Sequence, residues 1–288
     1  MQLGLRYESV YRYERVVGFS PHELRLFPRT DRYCRLRRVQ LRPNGDARIR
    51  YTRDVFDNVV AVCFYPERLR ELSFTLELDL DLEAKDAFDF ILDRSAENMP
   101  FIYKGEIAVV LQPYTRRQTT EPLQIPGWTA PQPNEGLGTV SALVGLNKAL
   151  FETIEYERRE EGAARPPAET LQLRRGACRD VAVLLAEILR GAGLAARLVS
   201  GYLREAEMET RRAEGSLHAW TEVFLPGAGW VGMDPTNGVF CNHNFIAAAV
   251  GLQPADVTPV SGTYYAPGAV SSAMTARMEL LDLSSAAV

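Results

Sequence analysis

The sequence predicts an α+β protein, with an all-β, sandwich-like domain at the N-terminus and a mixed core of helices and strands after it. Three observations carry that prediction. Residues 73–83 alternate strictly between apolar and polar side chains, prolines and glycines crowd residues 113–138, and beyond Thr139 apolar residues recur at helical spacing. The expected division is 1–115 for the β domain, 116–138 for a linker and 139–288 for the mixed core.

In residues 73–83, Phe74, Leu76, Leu78, Leu80 and Leu82 fall on one face of a strand, and Thr75, Glu77, Asp79 and Asp81 on the other. Residues 47–65 read as a hairpin broken at Asp57-Asn58, two residues that tolerate a left-handed turn. Residues 5–14 and 35–42 also have strand character, and short strands at this spacing suggest a small sandwich or open barrel. Residues 1–50 hold twelve arginines against five acidic residues, whereas residues 71–97 lean acidic. Both stretches read as strands with solvated charged faces. No chemistry is visible here. His22 stands in a Pro-flanked stretch, PHELRLFPR, and is read as structural.

After the linker, Val140, Leu143, Val144, Phe151 and Ile154 share one face of a helix expected over 139–157. In GACRDVAVLLAEILRGAG, Val181, Leu184, Leu185, Ile188 and Leu189 follow the i, i+3, i+4, i+7, i+8 pattern, and Gly191 and Gly193 supply the stop. Cys178 therefore opens a helix. A thiol there faces unpaired backbone N–H groups and the positive end of the helix dipole, both of which favour thiolate. Arg174, Arg175 and Arg179 flank it with positive charge. The same N–H groups suit an oxyanion. A lone cysteine at a helix start is otherwise a small buried apolar residue, so other residues must decide.

They stand forty residues on, in SLHAWTEVFLPGAGWVGMDPTNG. A nucleophilic thiol needs an imidazole to take its proton, and the imidazole needs a carboxylate or amide to fix its tautomer. His218 opens one strand of a hairpin and Asp234 ends the other. An even loop pairing Leu225 with Trp230 would send the two side chains to opposite faces. A three-residue loop or glycine bulge at 226–229 makes paired residue numbers sum to 454, sets Asp234 opposite Trp220, and puts His218 and Asp234 on one face as diagonal neighbours. The odd register is the one expected.

These residues resemble the transglutaminase-like superfamily, whose fold is related to that of papain-like cysteine proteases. The resemblance rests on Gly176-Ala177-Cys178-Arg179-Asp180 opening a helix, His218-Ala219-Trp220 on a strand, and Asp234-Pro235-Thr236 at a turn. The N-terminal segments YRYERVV, ELRLFPR and DVFDN are similar to the domain that precedes this core in a bacterial subgroup. The resemblance implies a nucleophile helix packed on an antiparallel sheet and thiol-dependent attack on an amide or related acyl group. Cys178 would be nucleophile, His218 base and then acid, and Asp234 the orienting carboxylate. There are departures: Arg179 stands where the subgroup commonly has Gln, Asp57 replaces a common Gly, and GLQPADVTP lacks a Gly-Arg-Asp before its final segment. They touch substrate contacts more than the triad. Arg179, Trp220, Trp230 and His243 are candidate substrate-site residues.

Bulk properties limit the alternatives. A net charge of −4 argues against a nucleic-acid partner, and no stretch approaches the ~18–20 apolar residues that span a bilayer. The opening MQLGLRYESVYRYE has no apolar leader core, and Cys34, Cys63, Cys178 and Cys241 show no CxxC spacing, so a reduced, cytoplasmic protein is expected. No cofactor and no metal are expected. A mixed site of Cys178, His218, Asp234, Cys241 and His243 has the wrong spacing for zinc, and no acidic run suits calcium. The expected partner is a protein or peptide substrate, or a small amide. Open alternatives are clearance of the thioester by water or by an amine, and a non-catalytic peptide-binding module that keeps the fold.

Overall fold

The computed structural model describes residues 1–132, 135–159, 162–204 and 217–283. Its centre is a sheet of five strands in the order Val239–Phe240, Gly229–Asp234, Leu217–Leu225, Ala196–Leu203, Phe245–Gly251, with every neighbouring pair antiparallel. The helix Cys178–Gly191 lies across one face. Its stripe of Val181, Leu184, Leu185, Ile188 and Leu189 is buried against Val223, Leu225 and Met233 of the sheet. The Thr221 hydroxyl donates to the Ala182 carbonyl (2.7 Å), fixing how far along the strand the helix starts.

The N-terminal region forms two sheets around one apolar core. In the first, Gln2–Phe19 lies between Leu69–Leu82 and Ser272–Asp282, with Cys34–Pro43 beyond Leu69–Leu82. In the second, Val260–Ser261, His22–Leu24, Val59–Phe64 and Arg48–Arg53 follow in order. Strand Leu69–Leu82 buries every second residue from Leu72 onward, the alternation read from sequence. His22 is buried, with Nδ1 2.9 Å from the Ser20 carbonyl oxygen, a structural placement.

The second face of the central sheet rests on this region. Tyr202, Ile246 and Ala248 join the N-terminal apolar cluster, and the Tyr202 hydroxyl donates to the Leu26 carbonyl (2.6 Å). The hairpin turn at Asp57-Asn58 makes the most specific contact. Asp57 takes a left-handed φ of 63°, which aims Asn58 at the sheet edge. The Asn58 amide donates to the Val250 carbonyl (2.8 Å) and accepts from the Val250 N–H (2.9 Å), pairing like one more strand residue.

Two expected boundaries differ. Residues 105–115, assigned from sequence to the β domain, form the helix Gly105–Thr115, and Met99, Phe101, Tyr103 and Leu111 pack into the core of the cysteine helix. That helix exposes Ile107, Val109 and Val110, so its apolar residues make no clean stripe for periodicity to detect. At the other end, 139–288 is not one continuous core. From Val260 the chain returns to the N-terminal sheets, and Ser272–Asp282 runs antiparallel along residues 3–13 of the first strand.

Candidate active site

The helix start is built by Asp180. Its carboxylate is fully buried; Oδ2 accepts from the Ala177 N–H (2.9 Å), and Oδ1 accepts from Arg159 Nη2 (2.6 Å) and the Arg165 N–H (2.8 Å). This caps the helix with negative charge, the favoured sign at an N-terminus, and locks the turn before Cys178. Gly176 packs tightly against this carboxylate: a Cβ there would meet Asp180 Cβ at 3.0 Å and Thr170 at 3.1 Å, so these side chains would have to give way. Cys178 is partly exposed at the first helical position.

The hairpin has the odd register. Thr221 pairs with Met233, Val223 with Val231 and Leu225 with Gly229, leaving a three-residue loop over 226–228. Gly227 and Gly229 take φ of 88° and 77°, conformations that L side chains rarely adopt. At Gly227 a Cβ would also lie 2.6 Å from the Ile91 carbonyl oxygen. The result is that His218 Nε2 and Asp234 Oδ2 stand 2.9 Å apart, with both residues buried. Asp234 is held from three more directions. Its Oδ1 accepts from the Thr236 N–H (3.0 Å), its Oδ2 accepts from Asn237 Nδ2 (2.7 Å), and Asn147 Nδ2 donates to its backbone carbonyl (3.4 Å) and to that of Val239 (3.0 Å).

Burial works against charge on both the thiol and the imidazole. For Cys178 that penalty is outweighed by the neighbouring His218 and its charge and by the Ala219 backbone N–H, so the thiol is held below its ordinary value. For His218, burial pulls down, but the charge and hydrogen bond of Asp234, with Cys178 adding, push the ring up to about 10. Both directions favour a thiolate–imidazolium pair, which titrates as a unit. Asp234 occupies Nε2, so Nδ1 is the nitrogen left for the sulfur; it is buried and makes no hydrogen bond of ordinary geometry, to the Cys178 sulfur included. Loose nucleophile–base contacts are common before substrate arrives.

A family model described as the transglutaminase-like superfamily matches residues 130–235, a span that contains Cys178, His218 and Asp234. A second, the bacterial transglutaminase-like N-terminal region, matches residues 3–81. The chain belongs to the transglutaminase-like superfamily. An uncharacterized protein of Mycobacterium leprae is 32% identical over 130 residues, 44% of this chain and 46% of its own. One of Mycobacterium bovis is 33% identical over 133 residues, 44% of this chain and 42% of its own. The matched stretches thus span under half the length of either relative. Among solved structures, a Cytophaga hutchinsonii protein put forward as a cysteine protease superposes with a TM-score of 0.70 at 17% identity, covering 98% of this chain and 91% of that one. At that identity the likeness concerns the fold.

Around this superfamily core, the other candidate residues divide. Trp220 is buried and stacks on His218, ring centroids 6.2 Å apart and planes at 26°. Arg179 is half-buried beside Cys178, with Nη1 donating to the Arg159 carbonyl (2.7 Å). Trp230 carries the Arg197 guanidinium over its ring at 4.2 Å and packs on Tyr114. His243 places Nδ1 3.3 Å from the Lys85 carbonyl oxygen. Trp220, Trp230 and His243 share a cavity of about 280 Å³ against the N-terminal region. Among the described residues no three His, Cys, Asp or Glu come together as a metal-holding group.

Four residues of the site carry no sequence signal strong enough to single them out. Asn237 directly follows the DPT turn and reads there as a turn residue, and Asn147 reads as a polar position on a helix. Phe245 sets its ring 6.2 Å from that of His218. Tyr156 lies on the two-residue strand Glu155–Tyr156, which pairs in parallel with Arg175–Gly176 just before the nucleophile helix. Its hydroxyl is pushed up, first by burial and then by Cys178.

Proposed function

We propose that the protein is a thiol-dependent acyl-transfer enzyme acting on an amide bond through Cys178, His218 and Asp234. One observation carries the reading: a buried carboxylate holds one imidazole nitrogen at 2.9 Å while the other is left to a cysteine whose thiol is held low at a helix N-terminus. Sγ of Cys178 attacks the amide carbon, and the developing oxyanion lies toward the first-turn N–H groups. Protonated His218 gives its proton to the departing amine, leaving a thioester on Cys178. Water or a second amine, deprotonated by His218, then attacks the thioester carbon and expels the thiolate. The substrate class is a protein, a peptide or a small amide.

The test is acylation by p-nitrophenyl acetate followed by intact-mass analysis. Wild type should release a burst of p-nitrophenolate and gain one acetyl group, while Cys178→Ala should do neither and His218→Ala should acylate at least about 100-fold more slowly. Acetylation at equal rates in all three would leave a fold without catalysis, as expected of a peptide-binding module.

A further inference from the structure

The cavity of about 280 Å³ shared by Trp220, Trp230 and His243 lies between the outer face of the central sheet and the N-terminal region. Arg29, Lys85 and Arg197 line it too, against two acidic residues, Asp31 and Glu222. The acids are committed. Glu222 pairs with Arg197 (2.6 Å), and Asp31 Oδ1 accepts from the N–H groups of Tyr33 (2.7 Å) and Cys34 (2.8 Å). Two of the cations are not. Arg29 gives Nη1 to neutral oxygens, the Phe56 carbonyl (3.2 Å) and Asn58 Oδ1 (3.0 Å), and Lys85 sets Nζ 5.4 Å from the centre of the Tyr33 ring. Neither has a carboxylate at ion-pair distance among the described residues. Asp54 and Asp57, which also act on Arg29, carry arginines of their own, Arg25 (3.5 Å) and Arg53 (2.8 Å). Burial, and then the neighbouring Arg197 charge, pull the Arg29 guanidinium below its ordinary value, a repulsion that an anion would relieve.

Trp220 forms the wall on the side of the triad. Only 2% of it is exposed, and its Nε1–H has no hydrogen-bond partner among the described residues, although a buried indole N–H normally finds one. A Cβ on Gly232 would stand 3.5 Å from that nitrogen, and Gly232 and Cys241 both line the cavity, so the N–H edge of the indole is the edge turned toward it. A guanidinium with N–H groups to spare, an ammonium without a carboxylate and an indole N–H thus border one space. Donors of this kind match an anion, and a carboxylate offers two oxygens that accept from several sides. Leu82, Phe245 and Val250 add apolar wall, which a bare inorganic ion would leave unused.

We propose that this cavity is a binding site for a small organic carboxylate, recognised by the Trp220 indole N–H and the positive charge of Arg29 and Lys85, with an aromatic or branched apolar body against the remaining wall. The occupant is separated from the His218 imidazole by the indole of Trp220 and does not touch the reacting atoms. The site is therefore distinct from the acyl-transfer chemistry and stands whether or not that reading holds.

The experiment follows isotope-labelled indole nitrogens of the full chain by NMR. The sequence has three tryptophans, and Trp220→Phe identifies the signal that belongs to Trp220. Sodium benzoate, titrated at constant chloride, should shift that signal saturably as the N–H gains an acceptor. Benzamide, a neutral compound of the same shape, should bind at least about tenfold more weakly. Arg29→Gln and Lys85→Gln should each weaken benzoate about tenfold, the loss expected for a charged partner, while the other two indole signals report that each variant is folded. No shift at Trp220, equal binding of benzoate and benzamide, tighter binding of inorganic phosphate than of benzoate, or a benzoate affinity that both variants leave intact overturns the proposal.

Discussion

Replacing Asp234 with Asn tests the electrostatic logic of the site most directly. The carboxylate is fully buried and takes His218 and Asn237 on one oxygen and the Thr236 N–H on the other. An amide has the same shape but cannot serve both sides, because its NH₂ must face a donor in either orientation. His218 stands at about 10 against an ordinary 6.5, worth about 5 kcal/mol in favour of the protonated ring. Without the Asp234 charge, burial is unopposed by its strongest counterweight, so the ring falls below its ordinary value and is neutral at pH 7.5. Cys178 then loses the cation that lowers it, and its own burial pushes it above the ordinary thiol range. Acylation at pH 7.5 should fall about 1,000-fold, within the span of general acid–base catalysis. The assay is stopped-flow alkylation by iodoacetamide as a function of pH. Wild type should react with an inflection below the ordinary thiol value and Asp234→Asn only above it. Superimposable pH profiles for the two proteins would refute the coupling between Asp234, His218 and Cys178.

Three further outcomes follow from the same structure. The kcat/KM profile for an amide should be bell-shaped. Its rising limb reports thiolate formation below the ordinary thiol value, and its falling limb, near pH 10, reports loss of the His218 proton that the leaving amine needs. Leu185→Ala, in the middle of the cysteine helix and fully buried, should cost about 2–5 kcal/mol in urea unfolding because a cavity opens between helix and sheet. Asn58→Ala strips partners from the Val250 N–H and carbonyl and should cost about 2–4 kcal/mol by the same measurement, followed through tryptophan fluorescence.

What the sequence made legible is what depends on local pattern. The cysteine helix has a five-residue apolar stripe that only one face can satisfy, and the burial of all five residues follows from it. The hairpin is a parity argument: two glycines with left-handed φ permit a three-residue loop, and a loop of odd length puts His218 and Asp234 on one face. Contacts closed over long separations left no such trace. Nothing in residues 272–282 says that their partner is the first strand of the chain, because antiparallel pairing constrains alternation and not address. Tyr156 reaches the neighbourhood of Cys178 only because two residues pair in parallel with Arg175–Gly176, a contact too short to have a periodicity.

Parity also could not give depth, and depth is what sets the chemistry. Exposed, the same His218–Asp234 pair would be screened by water and worth little. Three features sink it: Asn237 and Thr236 close the carboxylate from the turn, Asn147 pins that turn from a helix, and the buried Trp220 sets its ring beside the imidazole at 6.2 Å between centroids. Of these, Trp220 stood out in the sequence through its place beside His218, and Thr236 only as part of the Asp234-Pro235-Thr236 turn. The turn residues read as a turn signal, yet their N–H donors are what satisfy the buried carboxylate that faces His218. The same residues therefore make the turn and hold the carboxylate that raises His218.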